Sequence, residues 1–228
     1  MLYKTNGIVL GFIRYRDTSI IVRIYTEAFG LRSYIINGVR SVKSKSNKIA
    51  LYQPFTLLDM LVYNKPNTDL NYISESKIYQ PFQSIPFDIH KTTICLFLTE
   101  VLTKVLKSEQ ADQELFDFLE NSILSLENIS QNFENFHLSF LIRLSGFLGF
   151  YITEASEIGE QLQRAGYLFD YELHILQING LISAEYGSEL PISNKVRSEI
   201  LAALLKFYQL HFEGFGEMKS LNILKEIY

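Results

Sequence analysis

The amino-acid sequence predicts an α+β protein in which a five-stranded β-barrel, residues 1–80, precedes an all-helical domain, residues 81–228. Apolar residues alternate with polar ones before position 80, as in half-buried strands, and recur every three or four residues after it, as in amphipathic helices. The charge divides at the same place, because residues 1–80 carry eleven Lys/Arg against five Asp/Glu and the remainder carries ten against twenty. A basic module joined to an acidic one is expected when the first module meets a polyanion.

Five segments of the basic half have the alternation of β-strands, and turn residues separate them. They are residues 7–13, 19–25, 31–36, 55–63 and 70–78. A long connection follows the third segment. Five short strands in this arrangement match the small Greek-key barrel called the OB-fold, and other five-stranded barrels fit the pattern too.

The acidic half has helical periodicity. A long, mostly apolar helix is predicted over residues 89–106 and another over residues 133–150. Asp88, Asp112 and Asn194 are predicted to cap helices that follow them, because their side-chain oxygens can accept hydrogen bonds from the first backbone N–H groups.

Length and composition describe a folded protein with a substantial core. The chain has 228 residues, of which 47% are hydrophobic, with 17 Phe and 14 Tyr. No run of eighteen apolar residues occurs, and the N-terminus lacks the apolar segment of a signal peptide, so we expect a cytoplasmic protein. Cys95 is the one cysteine, and its apolar neighbours indicate a buried small hydrophobe. We expect no metal and no cofactor.

The densest positive charge lies between the third and fourth predicted strands. Residues 38–48 contain Arg40, Lys43, Lys45 and Lys48 and no acid. An arginine can donate two N–H groups to one phosphate, and lysines act as mobile point charges that follow a variable backbone. This basic loop, residues 38–48, is therefore the first candidate for contact with a nucleic-acid strand.

Further candidates lie on the predicted strands, where arginines and tyrosines are close in sequence. An OB barrel binds single-stranded nucleic acid by combining a cationic groove with aromatic rings that stack on bases. The candidates are Arg14, Arg16, Arg23, Arg32 and Tyr34. The alternative role of each arginine is an ion pair with a neighbouring acid such as Asp17 or Glu27. The alternative role of the tyrosine is packing in a strand.

Signatures of catalysis are missing from the sequence. It contains no phosphate-binding glycine loop, no nucleophile elbow and no zinc-protease motif. The four histidines, at positions 90, 137, 174 and 211, have no ligand spacing. We therefore expect a binding protein and not an enzyme, and a nuclease or ligase has the least support. An OB-fold RNA-binding protein and a protein-interaction adaptor remain alternatives.

Several stretches carry a family resemblance in their order along the chain. They are residues 5–10, 26–31, 37–44, 51–55 and 63–65, with thinner matches at 146–150, 167–170, 208–211 and 219–224. Together they resemble the bacterial recombination mediator family RecO, over nearly the whole chain. Arg40 and Lys43 fall in the family's Gly-x-Arg-x-x-Lys-Ser pattern, which begins here at Gly38.

The resemblance implies an OB-fold domain followed by a helical domain that carries partner surfaces. It implies binding of single- and double-stranded DNA at the nucleoid, annealing of complementary strands, and cooperation with RecR and single-strand binding protein (SSB) to load RecA. The acidic C-terminal tail of SSB would need an apolar pocket with a cation at its rim. Arg143, set between Phe140 and Phe147, is the candidate for that pocket.

One departure from the family concerns zinc. Many members carry a four-cysteine zinc site after the stretch that matches residues 146–150, but residues 151–190 contain no cysteine. We expect a metal-free version of this insertion, in which packing among Leu162, Tyr167, Phe169 and Leu173 replaces the metal. Residues 166–176 could form either a strand or a helix.

Overall fold

The computed structural model describes residues 1–39, 48–64, 68–106 and 110–227, with the backbone alone described at Lys48. The strands are β1 (Leu2–Tyr15), β2 (Ser19–Thr26), β3 (Gly30–Ile36), β4 (Leu57–Tyr63) and β5 (Leu70–Gln80). The α-helices are α1 (Ile89–Val105), α2 (Gln113–Asn128), α3 (Phe136–Phe147), α4 (Ala155–Arg164), α5 (Ile175–Ser183), α6 (Asn194–His211) and α7 (Ser220–Ile227). The predicted α+β class is confirmed.

The five strands form a closed barrel in the order β1-β2-β3-β5-β4, which is the predicted OB-fold arrangement. All neighbours are antiparallel except β3 and β5, which run parallel through Ser33–Leu70, Tyr34–Asn71 and Ile35–Tyr72. Strand β1 pairs with both β2 and β4 and so closes the barrel. An irregularity between Val9 and Gly11 marks a β-bulge, and a bulge lets a strand bend as closure requires.

The barrel core consists of alternate strand residues that face inward. Its buried members on the strands are Val9, Ile20, Val22, Ile24, Tyr34, Leu58, Met60 and Val62. The connection after β3 adds Val39 and Tyr52 to this cluster. Because side chains alternate between faces along a strand, the strand residues between these core positions point outward.

The chain divides into two compact units. The first contains Met1–Gln83 and Thr99–Ile123, and the second contains Ser84–Leu98 and the residues from Leu124 onward. In the first unit, α2 covers part of the barrel: the Phe116 ring stacks on Tyr25 with centroids 6.4 Å apart. Gly30 has φ 64°, and a Cβ there would collide with the carbonyl of Gln110, so both conformation and space require glycine at this position.

The core of the second unit is built around α3 and α6. Phe140, Leu141 and Leu144 of α3 are buried, as are Leu204 and Tyr208 of α6. The buried Tyr208 hydroxyl donates a hydrogen bond of 2.7 Å to the Leu141 carbonyl and so satisfies its polar group. Cys95 is also buried here, as predicted, and burial raises the pKa of its thiol.

Two of the three predicted caps are confirmed. Asp88 accepts hydrogen bonds from the N–H groups of His90 and Lys91, and Asp112 accepts one from Leu115. The prediction for Asn194 is wrong. Ser193 caps α6 by accepting a bond of 3.4 Å from the Val196 N–H, because the Asn194 amide oxygen accepts from the Arg197 guanidinium instead.

Residues 151–190 contain α4, a 3₁₀ turn at Tyr171–His174 and α5, so the ambiguous stretch becomes a helical turn that leads into a helix. The predicted packing is only partly correct. Leu162 is buried and the Phe169 ring stacks on His174, but Tyr167 and Leu173 are exposed. Tyr171 packs against Gly159, where any side chain would collide with the ring.

Within the described ranges, no helix is both long and apolar enough to cross a membrane.

Candidate nucleic-acid interface

One row of outward-facing apolar side chains crosses all five strands of the barrel. Val22 and Tyr34 are register partners in the core, so the neighbouring partners Ile21 and Ile35 point outward. The complete row, which we call the outer row, runs through the successive partners Leu2, Tyr63, Tyr72, Ile35, Ile21 and Ile13. Tyr63 is 47% exposed and Tyr72 is 50% exposed, so both rings are accessible.

Arg23 lies on the same outward face as the outer row. Its register partners are Gly11 on β1 and Ser33 on β3, and both are two residues along their strands from members of the row. Two residues of strand span about 6.6 Å. Because the flanking residues are small and a Cβ on Gly11 would meet nothing within 4 Å, the Arg23 side chain stands exposed beside the apolar row.

The β1–β2 turn adds a second cation near this face. The Arg16 guanidinium carbon lies 5.1 Å from the centre of the Tyr15 ring, a cation–π distance. Arg16 has φ 51°, a conformation that residues in tight turns adopt. Both side chains retain exposed surface, so this turn can offer a charge and a ring together.

The remaining strand arginines are on the other face of the sheet. Arg32 is the partner of the core residue Ile24, and Arg14 is the partner of the core residue Ile20. The Arg32 guanidinium donates a bond of 3.3 Å to the carbonyl of Leu31. The structure therefore separates Arg14 and Arg32 from Arg23, although the sequence grouped them together.

Tyr34 is corrected from a DNA contact to a core residue. It is 0% exposed, so its ring offers no surface to a base. Burial raises the pKa of Tyr34 to about 12, while the nearby Arg32 charge acts in the opposite direction. Sequence reasoning instead missed Tyr63 and Tyr72. The alternation of Tyr72 with Ile73 was the available signal, since the two point to opposite faces.

The basic loop lies largely outside the described residues, and this includes Arg40, Lys43, Lys45 and the Lys48 side chain. These four DNA contacts stay predictions. The described chain on both sides of the loop lines a hollow of about 440 Å³, which we call the β3–β5 hollow. Its lining residues are Ile35, Ile36, Asn37, Leu51, Tyr52, Tyr72, Ile73, Ser74, Glu75 and Ser76.

The candidate partner site on the helical unit differs from the prediction. Arg143 donates a hydrogen bond of 2.5 Å to the Ala184 carbonyl and lies 4.1 Å from the centre of the Tyr186 ring. Phe140 is fully buried and is corrected to a core residue, whereas Phe147 is partly exposed. Arg143 is thus held at the surface of α3 by a carbonyl and a ring.

Side chains that could bind a metal are dispersed. Across the part of the chain that the structure describes, no three His, Cys, Asp or Glu side chains come together as a metal site. The histidines have structural surroundings. His137 is buried beside Phe97, and the His211 ring stacks on Phe150 with centroids 4.2 Å apart.

Two family models match the chain. Residues 1–82 match the model described as the recombination protein O N terminal, and residues 86–221 match the recombination protein O C terminal. The two matched segments correspond to the barrel segment and to most of the helical segment.

Curated relatives align with the chain over its full length. A protein of Bacteroides fragilis is 37% identical over 242 residues, one of Phocaeicola vulgatus is 35% identical over 247, and one of Flavobacterium johnsoniae is 33% identical over 240. Each alignment covers 100% of both chains. All three relatives are named DNA repair protein RecO.

Proposed function

The chain belongs to the RecO family of DNA repair proteins, and we propose that it acts as a recombination mediator in the repair of double-strand breaks and gaps. It binds single- and double-stranded DNA and anneals complementary strands. Together with RecR it helps to load RecA onto DNA coated with SSB. Its contribution is binding and positioning, without a catalytic step.

The proposed roles are assigned to the two domains that the sequence predicts. Residues 1–80 form the DNA-binding domain, and residues 81–228 form the helical domain that carries partner surfaces. Residues 151–190 act as the metal-free counterpart of the zinc-binding insertion of other members. The protein acts at the nucleoid in the cytoplasm.

The observation that carries the DNA-binding proposal is the outward face of the barrel. Exposed Arg23 lies beside the outer row, and residues 1–80 carry a net charge of +6 in a chain whose total is −4. Arginine contributes charge for phosphates, and apolar and aromatic side chains contribute surface for bases. In this proposal the basic loop adds phosphate contacts through Arg40, Lys43, Lys45 and Lys48.

The experiment that tests DNA binding uses a variant with Ala at these four loop positions. Binding of a fluorescent oligonucleotide is followed by anisotropy at several salt concentrations. For a single strand, removing one cation that binds a phosphate flattens the slope of log affinity against log salt by about 0.7, so we expect a slope lower by roughly two to three. An unchanged slope in a folded variant would show that DNA binds elsewhere on the protein.

Annealing is tested on complementary strands coated with SSB, with and without the protein. Faster annealing in its presence supports the mediator role. Stronger binding to RNA than to DNA in competition would instead favour an RNA-binding protein. A complete lack of salt-sensitive nucleic-acid binding would favour a protein-interaction adaptor.

For the SSB tail we propose the surface of α3 around Arg143 and Phe147. The tail ends in an apolar residue and a free carboxylate. The partly exposed Phe147 ring suits the apolar residue, and Arg143 has further N–H donors besides the one bonded to Ala184. Arg143→Ala should weaken binding of a tail peptide. Unchanged affinity in a folded variant would reject this site.

A further inference from the structure

The two exposed tyrosines of the outer row are direct neighbours across the β4–β5 pair. Tyr63 and Tyr72 are register partners on the outward face, and each leaves about half of its surface in water. Next along the row, Tyr72 pairs with Ile35 of β3. Single exposed apolar side chains are ordinary, but two adjacent exposed rings, continued along the row by the half-buried Ile35 and Ile21, indicate an interaction surface.

The β3–β5 hollow lies beside Tyr72. Apolar side chains such as Ile35 and Ile73 form one part of its wall. Asn37 and Ser74 add amide and hydroxyl groups, which can form hydrogen bonds, and Glu75 adds a carboxylate that can accept them. The Ser76 hydroxyl already shares a hydrogen bond of 3.1 Å with Tyr52. A flat, apolar-faced group with polar edges matches this lining, and an unpaired nucleobase is such a group.

A cation is available on the same face at a suitable distance. Arg23 on β2 and Tyr72 on β5 are separated by β3 and offset by two residues along the strands, which together span about 12 Å. A single strand that crosses the sheet can therefore bring a phosphate to Arg23 and a base to Tyr72. Polyanion and exposed base come together in single-stranded nucleic acid, whereas the bases of a duplex are already stacked.

We propose that Tyr72, supported by its partner Tyr63, is the platform on which an unpaired base of single-stranded DNA stacks, with the edge of the base turned into the β3–β5 hollow. This inference rests on the proposed DNA-binding function and names the residue that distinguishes single strands from duplexes. Stacking on a ring is tolerant of sequence, because every base has a π-face.

The test replaces the ring with a side chain that keeps strand propensity, as in Tyr72→Thr, and compares it with the conservative Tyr72→Phe. Tyr151→Thr is the matched control, because Tyr151 is 70% exposed and lies in the second unit. The probes are a fluorescent oligothymidine and an oligomer of equal length made of abasic residues. Circular dichroism and the thermal midpoint show that each variant is folded.

We expect Tyr72→Thr to weaken binding of oligothymidine about 5- to 140-fold, since stacking on one base contributes about that factor. Its affinity for the abasic oligomer and its salt slope should match the wild type. Tyr72→Phe and Tyr151→Thr should bind both probes normally. Photo-crosslinking of a 4-thiothymidine probe should label the peptide that contains Tyr72.

Two results would overturn the inference in different ways. If folded Tyr72→Thr binds oligothymidine as tightly as the wild type, or loses affinity for both probes equally, the stacking role is wrong and the DNA-binding function stands. If the wild type binds neither probe at low salt, the proposed function itself fails and the inference fails with it.

Discussion

The ammonium group of Lys91 donates a hydrogen bond of 2.5 Å to the carbonyl of Ile129, although Lys91 is 1% exposed. It also donates to the Ser84 hydroxyl at 2.7 Å and to the Glu127 carbonyl at 3.1 Å. These bonds use all three donors of the ammonium. Burial lowers the pKa of Lys91, and the charges of Glu127 and Asp88 oppose that shift. Lys91 thus joins the start of α1 to the chain at the end of α2.

Replacement of this lysine should destabilise the protein. Lys91→Met keeps the apolar stem but leaves two carbonyls and a hydroxyl without their donor, so we expect a loss of about 2–4 kcal/mol in the free energy of unfolding. Urea titration measures the change. Lys195→Met, at an exposed site on α6, should cost less than about 0.5 kcal/mol. Equal effects of the two substitutions would contradict this role for Lys91.

Acid should destabilise the second unit through His137. Burial, together with the Arg197 charge, lowers the pKa of His137 to about 3. In the unfolded chain His137 is therefore protonated as the pH falls through about 6.5, whereas in the folded chain it stays neutral. The free energy of unfolding decreases as the pH falls below 6.5. Between pH 6.5 and 5, His137 lowers the free energy of unfolding by about 2 kcal/mol. His137→Leu should flatten the pH dependence over that range in urea titrations, and parallel profiles would contradict it.

The two faces of the barrel should differ in their response to salt. Arg23→Ala should lower the salt slope of single-strand binding by about 0.7, because Arg23 faces outward beside the outer row. Arg32→Ala is the control on the opposite face and should leave the slope unchanged. Anisotropy titrations at several salt concentrations measure both slopes. A larger change for Arg32 would show that DNA does not cross this face.

Removal of metal should have no effect. Residues 151–190 contain no cysteine, and Leu162 is buried in that segment. We expect the thermal midpoint to be the same before and after dialysis against a chelator. Elemental analysis should find no stoichiometric zinc. About one zinc per chain after dialysis would contradict this expectation.

The sequence was sufficient for the strands, the long helices and two of the caps, because periodicity and capping chemistry are local. It was insufficient for β3, where one face carries Tyr34 and Ile36 and the other carries Leu31 and Ile35. Alternation alone therefore could not tell which face points inward. Pairing with Val22 and Ile21 of β2 decides that. The burial of Lys91 could not be predicted either, since lysine side chains are mostly exposed in proteins. Its acceptors, the carbonyls of Glu127 and Ile129, lie far along the chain.

The features of the candidate site also differ in whether the sequence could predict them. The charge of the basic loop can be read from composition, but the grouping of Arg23 with Tyr72 depends on the parallel pairing of β3 with β5. That pairing joins segments separated by all of β4. No periodicity in one strand specifies which distant strand becomes its neighbour.

The short parallel pairing of β3 with β5 also sets an order of events in folding. It joins three residue pairs, whereas β1 and β2 pair along most of their lengths through a tight turn. Ordering the long intervening chain costs entropy before these few bonds form. Closure of the barrel is therefore expected late, after the β1–β2–β3 meander has collapsed. In the folded protein, the amide hydrogens of residues 70–72 should exchange with solvent sooner than those at the centre of β2.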